Sequence, residues 1–249
     1  MLNSIEAVIE SLNTITEQSI VEQSPEGYFS ALYGRVTKEV RDAIHRGEFE
    51  DNDRMEKLDI VFASRYLDAY RSVKETGELT RSWKVAFEQS SIPKLIVLQH
   101  LLLGMNAHIN LDLGIAASEV TDRVGALSLK NDFFKINDIL GNMIEDTQKR
   151  LTYIFGPLGL VDNLLGSLDE RLSLFSITYA RDKAWNQTLE LLLSDPEKKN
   201  ALIQERDANV SAFALQLIRP KKASIRWLLW MIRVLERKDT ATRIRLLGD

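Results

Sequence analysis

Apolar residues recur along most of the chain at intervals of three and four positions, with polar residues between them. This spacing places the apolar side chains on one face of an α-helix, and no segment shows the strict alternation typical of a strand. The pattern therefore predicts an all-α, single-domain multi-helix bundle. Its helices are predicted over residues 2–20, 28–46, 54–76, 80–90, 93–120, 127–155, 160–165, 168–194, 196–218 and 225–235.

The most apolar long segment is 93–120, with the sequence PKLIVLQHLLLGMNAHINLDLGIAASEV. We expect it to form a buried central helix near residues 93–113, which Gly114 bends or breaks. Polar groups in so apolar a helix must pair with one another or take part in chemistry. Four residues of the segment recur every four positions, along one side of the predicted helix: His100, Gly104, His108 and Asp112.

The composition limits the class of protein. A chain of 249 residues, of which 45% are apolar and 27% charged, is expected to form one globular domain over 1–249. The absence of cysteine excludes disulfides, thiolate metal ligands and a cysteine nucleophile. The start of the chain lacks the basic residues of a secretory signal, and no run of about 18 apolar residues predicts a membrane span. We therefore expect a cytoplasmic protein.

The C-terminal residues, 221–249, differ in charge from the rest of the chain. Counted from Arg219, the C-terminal part holds nine Lys or Arg residues against three acidic ones, whereas the whole chain has a net charge of −4. We expect a basic helical tail that packs on the bundle through residues 225–235. Alternatively, Trp227, Trp230 and the arginines bind a membrane surface or another anionic partner. Aromatic residues do not alternate with basic ones, so no nucleic-acid partner is predicted.

The spacing of the polar residues limits metal binding. His100 and His108 lie about 12 Å apart along a helix axis, so one ion cannot bind both. His108 and Asp112 lie about 6 Å apart along the axis and on one face, which suits two ligands of one divalent metal ion. Further ligands would come from other helices, where three side chains are candidates: Asp59, Glu56 and His45. For His45 the alternative is a surface position at the end of a helix, where a cation favours the helix dipole.

Two hypotheses for function follow. In the first, the chain is an enzyme, a hydrolase or lyase, that acts on a small and largely apolar substrate in a buried pocket by His/Asp acid–base chemistry, with or without one metal ion. The predicted catalytic residues are His100, His108, Asp59 and Tyr66. The predicted substrate-binding residues are Asn106, Asn110, Arg65 and Trp83. In the second, the same polar residues form a structural core network in a non-enzymatic ligand-binding or scaffold protein.

Two further features of the sequence affect these hypotheses. Gly104 either leaves room for a ligand or lets a second helix approach closely. The motifs G-x-S-x-G, G-x-x-x-x-G-K-[ST], G-x-G-x-x-G and H-E-x-x-H are all absent, so no common hydrolase, nucleotide-binding or zinc-protease site is predicted.

Several segments together resemble a bacterial family of helical proteins that is known only as a domain of unknown function. They are MEKLDIVFASRYLDAY, TRSWKVAF, LQHLLLGMNAHINLDLGIA and FSITYARDKAW. The resemblance covers about residues 26–235 and implies one helical domain, whose most recognisable residues, Arg181 and Asp182 among them, are polar ones on apolar helices. The His108 and Asp112 pair is also similar to the zinc-binding helices of the zinc-dependent phospholipase C group. The chain lacks that group's number of histidines and its N-terminal tryptophan ligand.

Overall fold

The computed structural model describes residues 2–75, 77–90, 95–155, 177–236 and 238–249. These residues form helices and no strands, which confirms the all-α prediction. The predicted helix 160–165 lies wholly outside the described residues, and so do the last residue of 54–76, the start of the central helix at 93 and the first residues of 168–194. The elements in chain order are α1 (Ile5–Glu22), α2 (Glu26–His45), α3 (Asn52–Glu75), α4 (Arg81–Ser90), α5 (Val97–Ala107), a π-helical turn (His108–Asp112), α6 (Leu113–Val120), α7 (Ala126–Phe155), α8 (Ile177–Leu193), α9 (Pro196–Ile218), α10 (Ala223–Leu235) and α11 (Thr240–Gly248).

Glycines follow two of the helices where the sequence predicts an end. Gly47 after α2 and Gly77 after α3 have φ angles of +68° and +71°, a left-handed conformation that glycine adopts without a steric penalty. His45 in the last turn of α2 is exposed, and its Nε2 lies 3.6 Å from Glu6 Oε1. The surface alternative for His45 is therefore confirmed.

The segment predicted as a central helix follows one helical path through α5, the π-helical turn and α6. Most of its side chains are buried, as predicted. Gly114 does not break the path. It lies in α6, where a Cβ atom would be only 2.7 Å from the Ala184 carbonyl oxygen of α8. The absence of a side chain at Gly114 therefore allows α6 and α8 to pack closely, and the departure from α-helical geometry occurs earlier, at His108–Asp112.

Carboxylates from distant parts of the chain cap the N-termini of four helices. Asp132 accepts hydrogen bonds from two backbone N–H groups just before α3, and Asp207 accepts two around the start of α4, all at 2.7–2.9 Å. Glu236 accepts one from the first residue of α5 at 2.9 Å, and Glu56 accepts one from the first residue of α1 at 3.2 Å. Each carboxylate satisfies N–H groups that have no partner within the helix, so these contacts fix where one helix begins relative to another.

The C-terminal helices pack on the rest of the fold through one face. Ile225, Leu228 and Ile232 of α10 are buried in an apolar cluster that also contains residues of α2, α5, α7 and α11. Trp227 and Trp230, on the other face of α10, are 58% and 60% exposed. The binding of an anionic surface through these tryptophans stays a prediction. In the described part of the chain, no helix combines the length and apolar character needed to cross a membrane.

Candidate functional site

His108 lies in the π-helical turn at the centre of an aromatic cluster. Its imidazole ring stacks on Phe62 of α3, with the ring centroids 3.6 Å apart and the planes 8° from parallel. Tyr33 and Phe29 of α2 contact the imidazole at larger interplanar angles, with centroids at 4.6 Å and 5.7 Å. The residue is only 2% exposed, and neither Nδ1 nor Nε2 has a hydrogen-bond partner in the described structure. Buried polar atoms are normally paired, so the two nitrogens call for an explanation. Turns of π-helix occur frequently at functional sites.

Asp112, at the end of the same turn, is held by donors from two other helices. Arg65 Nε of α3 donates to Oδ1 at 2.9 Å, and Trp83 Nε1 of α4 donates to Oδ2 at 2.8 Å. The distance from His108 Nδ1 to Asp112 Oδ2 is 3.6 Å, which is longer than a hydrogen bond but short enough for a strong charge interaction. The carboxylate therefore has a fixed orientation beside the imidazole.

The environment of His108 favours the neutral imidazole. Burial lowers its pKa, and Arg65 acts in the same direction, whereas Asp112 offsets part of the effect by stabilising the protonated form. A neutral imidazole has one nitrogen that accepts a proton and one that donates. A base beside an oriented carboxylate is an arrangement that proton-transfer enzymes use repeatedly.

A cavity of about 930 Å³ opens beside His108. It lies between α2, α3, α5, α7 and the start of α8, and its volume falls in the range of pockets for small organic ligands. Polar residues of α7 between 145 and 152 contribute to its wall. The other polar side chains among the described residues of the wall are Tyr33, Asp59, His108 and Arg181. The remaining described wall residues are apolar and include Leu58, Phe62, Leu102, Ile136, Leu140 and Met143.

Asp59 and Tyr33 bring two more uncompensated polar atoms to this wall. Asp59 is 8% exposed, and its Oδ2 has no hydrogen-bond partner in the described structure. Burial, with a smaller contribution from the charge of Glu56, raises the pKa of Asp59 to about 7. The Tyr33 hydroxyl also lacks a partner within the described residues, and burial raises its pKa well above the ordinary value. At neutral pH the wall therefore carries a partly protonated acid and a protonated phenol as well as a neutral imidazole.

The sequence of residues 5–220 matches the profile of DUF5995, described as a family of unknown function. The chain belongs to this family. The resemblance to an uncharacterised helical family is thereby confirmed, although the match covers 5–220 rather than 26–235. No curated protein and no solved structure matches the chain. Every cavity residue named above lies within the matched part, whereas α10 and α11 follow it.

The four predicted substrate-binding residues of this family member lie behind the cavity wall. Arg65 and Trp83 hold Asp112, as described above. The Asn106 amide donates to a backbone carbonyl of α9 at 3.0 Å and accepts from the Asn110 amide at 2.9 Å. Arg206 of α9 in turn donates to the Asn110 carbonyl oxygen at 2.7 Å. The two asparagines therefore connect the central helix to α9, and none of the four predicted residues lines the cavity.

The structure separates the predicted catalytic residues. His108 and Asp59 both line the cavity, whereas Tyr66 packs beside Trp83 outside it, with its ring centroid 5.3 Å away. His100 lies elsewhere, against Tyr28, with centroids 5.6 Å apart. Burial, assisted by nearby arginine charges, lowers the pKa of His100 to about 4.

The described residues bring no further ligand to the predicted metal site at His108 and Asp112. No group of three or more His, Asp or Glu side chains in the described residues is arranged to hold a metal ion. Both Asp112 oxygens already accept hydrogen bonds, and Glu56 accepts one from the backbone of α1. These contacts already engage Asp112 and Glu56, and a third candidate, His45, lies exposed beside Glu6.

Gly104 does not leave room for a ligand beside itself. A Cβ atom there would lie 2.6 Å from the ring of Phe29, so the absence of a side chain lets α2 and α5 pack closely. This observation selects the second of the two alternatives for Gly104.

Reasoning from sequence does not identify three residues as part of the site, although they line the cavity: Tyr33, Phe62 and Arg181. Tyr33 and Phe62 fit the apolar faces of their helices, so periodicity classes them as ordinary core residues. Arg181 is one of the polar residues that carry the family resemblance, but spacing alone assigns it no partner. Its position between Ala180 and Ala184, both of which are buried, is the one local signal that its side chain points inward.

Proposed function

We propose that the chain is an enzyme that binds a small, largely apolar molecule in the cavity and transfers a proton to or from it through His108. The observation that carries this proposal is the state of His108 itself. It is a buried, neutral imidazole at a cavity wall, with no hydrogen bond to either nitrogen in the described structure, beside a carboxylate held by two donors. Leaving such atoms unpaired costs stability, and a bound molecule would supply the missing partner.

The environments of His108 and Asp59 suit opposite roles in acid–base chemistry. Burial lowers the pKa of the imidazole and raises that of the carboxyl group. At neutral pH, His108 is therefore available as the general base, while the protonated fraction of Asp59 is available as the acid. When His108 gains a proton, Asp112 stabilises the imidazolium from 3.6 Å. The Tyr33 hydroxyl is a further donor to a polar group of the substrate.

The composition of the cavity wall supports an apolar substrate, and the side chains of His108 and Asp59 are compatible with two classes of reaction. Because most wall residues are apolar, the body of the substrate is apolar, with a polar group at the reacting position. A general base removes a proton from water in a hydrolase, or from carbon in a lyase that catalyses an elimination. Both reactions use the same two side chains of this chain.

Binding is tested first, with the neutral fluorophore N-phenyl-1-naphthylamine and the full chain. We expect a saturable increase in fluorescence. The cavity variant Leu140→Trp should weaken the binding of the fluorophore at least tenfold, because the larger ring fills part of the cavity. The matched control is Leu127→Trp on the same helix, at a position that is 81% exposed, and it should bind as the wild type does. A wild-type chain that does not bind the fluorophore would contradict the proposal.

Turnover is tested with His108→Gln, which removes the base but keeps a polar side chain. The substrates are p-nitrophenyl esters of short fatty acids for hydrolysis and β-acyloxy ketones for elimination. We expect His108→Gln to bind the fluorophore normally and to lose turnover by about 100-fold or more, the usual contribution of a general base. The exposed His45→Gln variant is the control and should keep full activity.

The second candidate function is a non-enzymatic ligand-binding or scaffold protein. The observation that favours it is the use of Asn106, Asn110, Arg65 and Trp83 in contacts between helices. Normal binding of the fluorophore without any turnover that depends on His108 would support this candidate over the enzyme.

A further inference from the structure

Arg181 is a buried cation for which the described residues provide no anionic partner. It lies in the first turns of α8, is 5% exposed and lines the cavity. One guanidinium nitrogen, Nη2, donates to the Phe133 carbonyl oxygen, and the guanidinium carbon lies 4.6 Å from the centroid of the Phe133 ring. Its Nε has no hydrogen-bond partner in the described structure. Burial lowers its pKa to about 9, so the side chain is still positively charged at neutral pH.

Four other arginines of the fold have a carboxylate partner, which the described residues do not provide for Arg181. Arg35, Arg54, Arg65 and Arg243 have side chains that are 14–27% exposed, and each lies within 4 Å of a carboxylate oxygen. Arg181 is more buried than any of them, yet the described residues provide no carboxylate for it. Its neighbour Asp182 is exposed and influences it only through a charge interaction. A buried, unpaired charge is costly, and proteins normally retain one only where an anion compensates it.

The position of Arg181 in the cavity wall indicates where that anion would lie. The other cation among the described wall residues, Lys149, is 66% exposed and pairs with Glu145 at 2.7 Å, so its charge is already compensated. Near Arg181 the wall continues with apolar side chains of α7, among them Ile136, Leu140 and Met143. In the part of the wall that the structure describes, one uncompensated positive charge therefore adjoins an extended apolar surface.

We propose that the cavity binds an amphipathic monocarboxylate, whose carboxylate pairs with Arg181 and whose apolar body lies along α7 toward His108. A single guanidinium matches a single carboxylate in charge and in the geometry of its donors. This inference rests on the proposed function, in which the same cavity holds the substrate, and it adds the anionic group by which the substrate is oriented.

The test compares octanoate with octanol, which has the same chain length and no charge. Each compound displaces N-phenyl-1-naphthylamine from the full chain at neutral pH. We expect octanoate to displace it at a concentration at least tenfold lower than octanol does, and the cationic octylammonium to be the weakest of the three. Equal displacement by octanoate and octanol from the wild-type chain would overturn the inference without any variant.

The variant Arg181→Met then assigns the preference to one side chain. It replaces the aliphatic stem of the side chain with one of similar shape and removes the charged guanidinium, and replacement of an unpaired buried charge by an apolar residue should not prevent folding. We expect Arg181→Met to bind the fluorophore as the wild type does. Octanoate and octanol should displace the fluorophore from this variant at equal concentrations. Lys149→Met is the matched control in the same wall and should keep the preference. A preference that survives in Arg181→Met would overturn the inference.

The outcomes separate this inference from the proposed function. If the fluorophore does not bind to the wild-type chain, the cavity site itself fails. If it binds and octanoate shows no advantage over octanol, only the role of Arg181 fails, and the proton-transfer proposal at His108 is unaffected.

Discussion

Burial has opposite effects on the acids and bases of this fold, because it disfavours whichever form is charged. Asp59 consequently keeps its proton to about pH 7, and His100 stays neutral down to about pH 4. The two groups change the free energy of unfolding in opposite directions. Over pH 3.8–7 the folded chain holds a proton at Asp59 that the unfolded chain has released, so stability from this group falls as pH rises. The stability that His100 contributes falls as the pH drops from 6.5 to 4, because the unfolded chain then binds a proton at this residue that the folded chain does not.

Asp59→Asn isolates one of these contributions. Relative to wild type, we expect the variant to gain stability as pH rises from 4 to 7, by up to about 4 kcal/mol, since the pKa rises from 3.8 to about 7 on folding. Urea denaturation at a series of pH values measures the difference. Asp68→Asn is the control on the same helix, because Asp68 is exposed and pairs with Arg71. Parallel pH curves for wild type and Asp59→Asn would show that Asp59 is not protonated in the fold.

At the scale of helices, the crossing of α2 and α5 depends on Gly104. A Cβ atom added at this position would lie 2.6 Å from the Phe29 ring, which in turn contacts His108. We expect Gly104→Ala to destabilise the fold by about 1–3 kcal/mol, the usual cost of overpacking a core. Thermal and urea denaturation measure the change.

Gly141 provides the matched control for Gly104. It also lies within a helix, α7, but a Cβ atom there would meet nothing within 4 Å. Since alanine favours a helix over glycine by about 1 kcal/mol, we expect Gly141→Ala to stabilise the fold by about that amount. If both substitutions were stabilising, the close packing of Phe29 on Gly104 would be wrong.

The sequence predicts the helices well because the spacing of apolar residues is a local property. It also places His108 and Asp112 on one face, since four residues make about one turn. It does not predict the partners of Asp112, because Arg65 and Trp83 lie 47 and 29 residues before it, on separate helices. The sequence does not predict the cavity for a related reason: its polar wall residues come from α2, α3, α7, the π-helical turn and α8, and no local pattern relates them.

For the whole molecule, the last two helices lie beyond the family match but complete the core. Ile225, Leu228 and Ile232 of α10 and Leu247 of α11 are buried, and Glu236 caps α5. Burying each such apolar side chain contributes about 1.5–3 kcal/mol, so their combined loss approaches the total stability of a typical domain.

We therefore expect the fragment 1–220 to lack a cooperative thermal transition, as measured by circular dichroism at 222 nm. The control is the full chain with Trp227→Ser and Trp230→Ser, which removes exposed apolar surface and should melt within a few degrees of wild type. The same control, mixed with anionic vesicles, tests the alternative role of these tryptophans at a membrane surface. A cooperative transition in 1–220 would show that the matched region is a complete folding unit.

The π-helical turn at His108–Asp112 also determines how α6 is rotated about the helix axis relative to α5. A π turn accommodates an additional residue in a helix, and one residue corresponds to about 100° of rotation in α-helical geometry. If the turn relaxed to α-helix by loss of one residue, α6 would rotate by about that angle relative to α5. Gly114 would then turn away from Ala184, and a bulky neighbour would meet the α8 backbone in its place. The packing of α6 on α8 thus stabilises the π-helical turn. It also keeps His108 Nδ1 at 3.6 Å from Asp112 Oδ2.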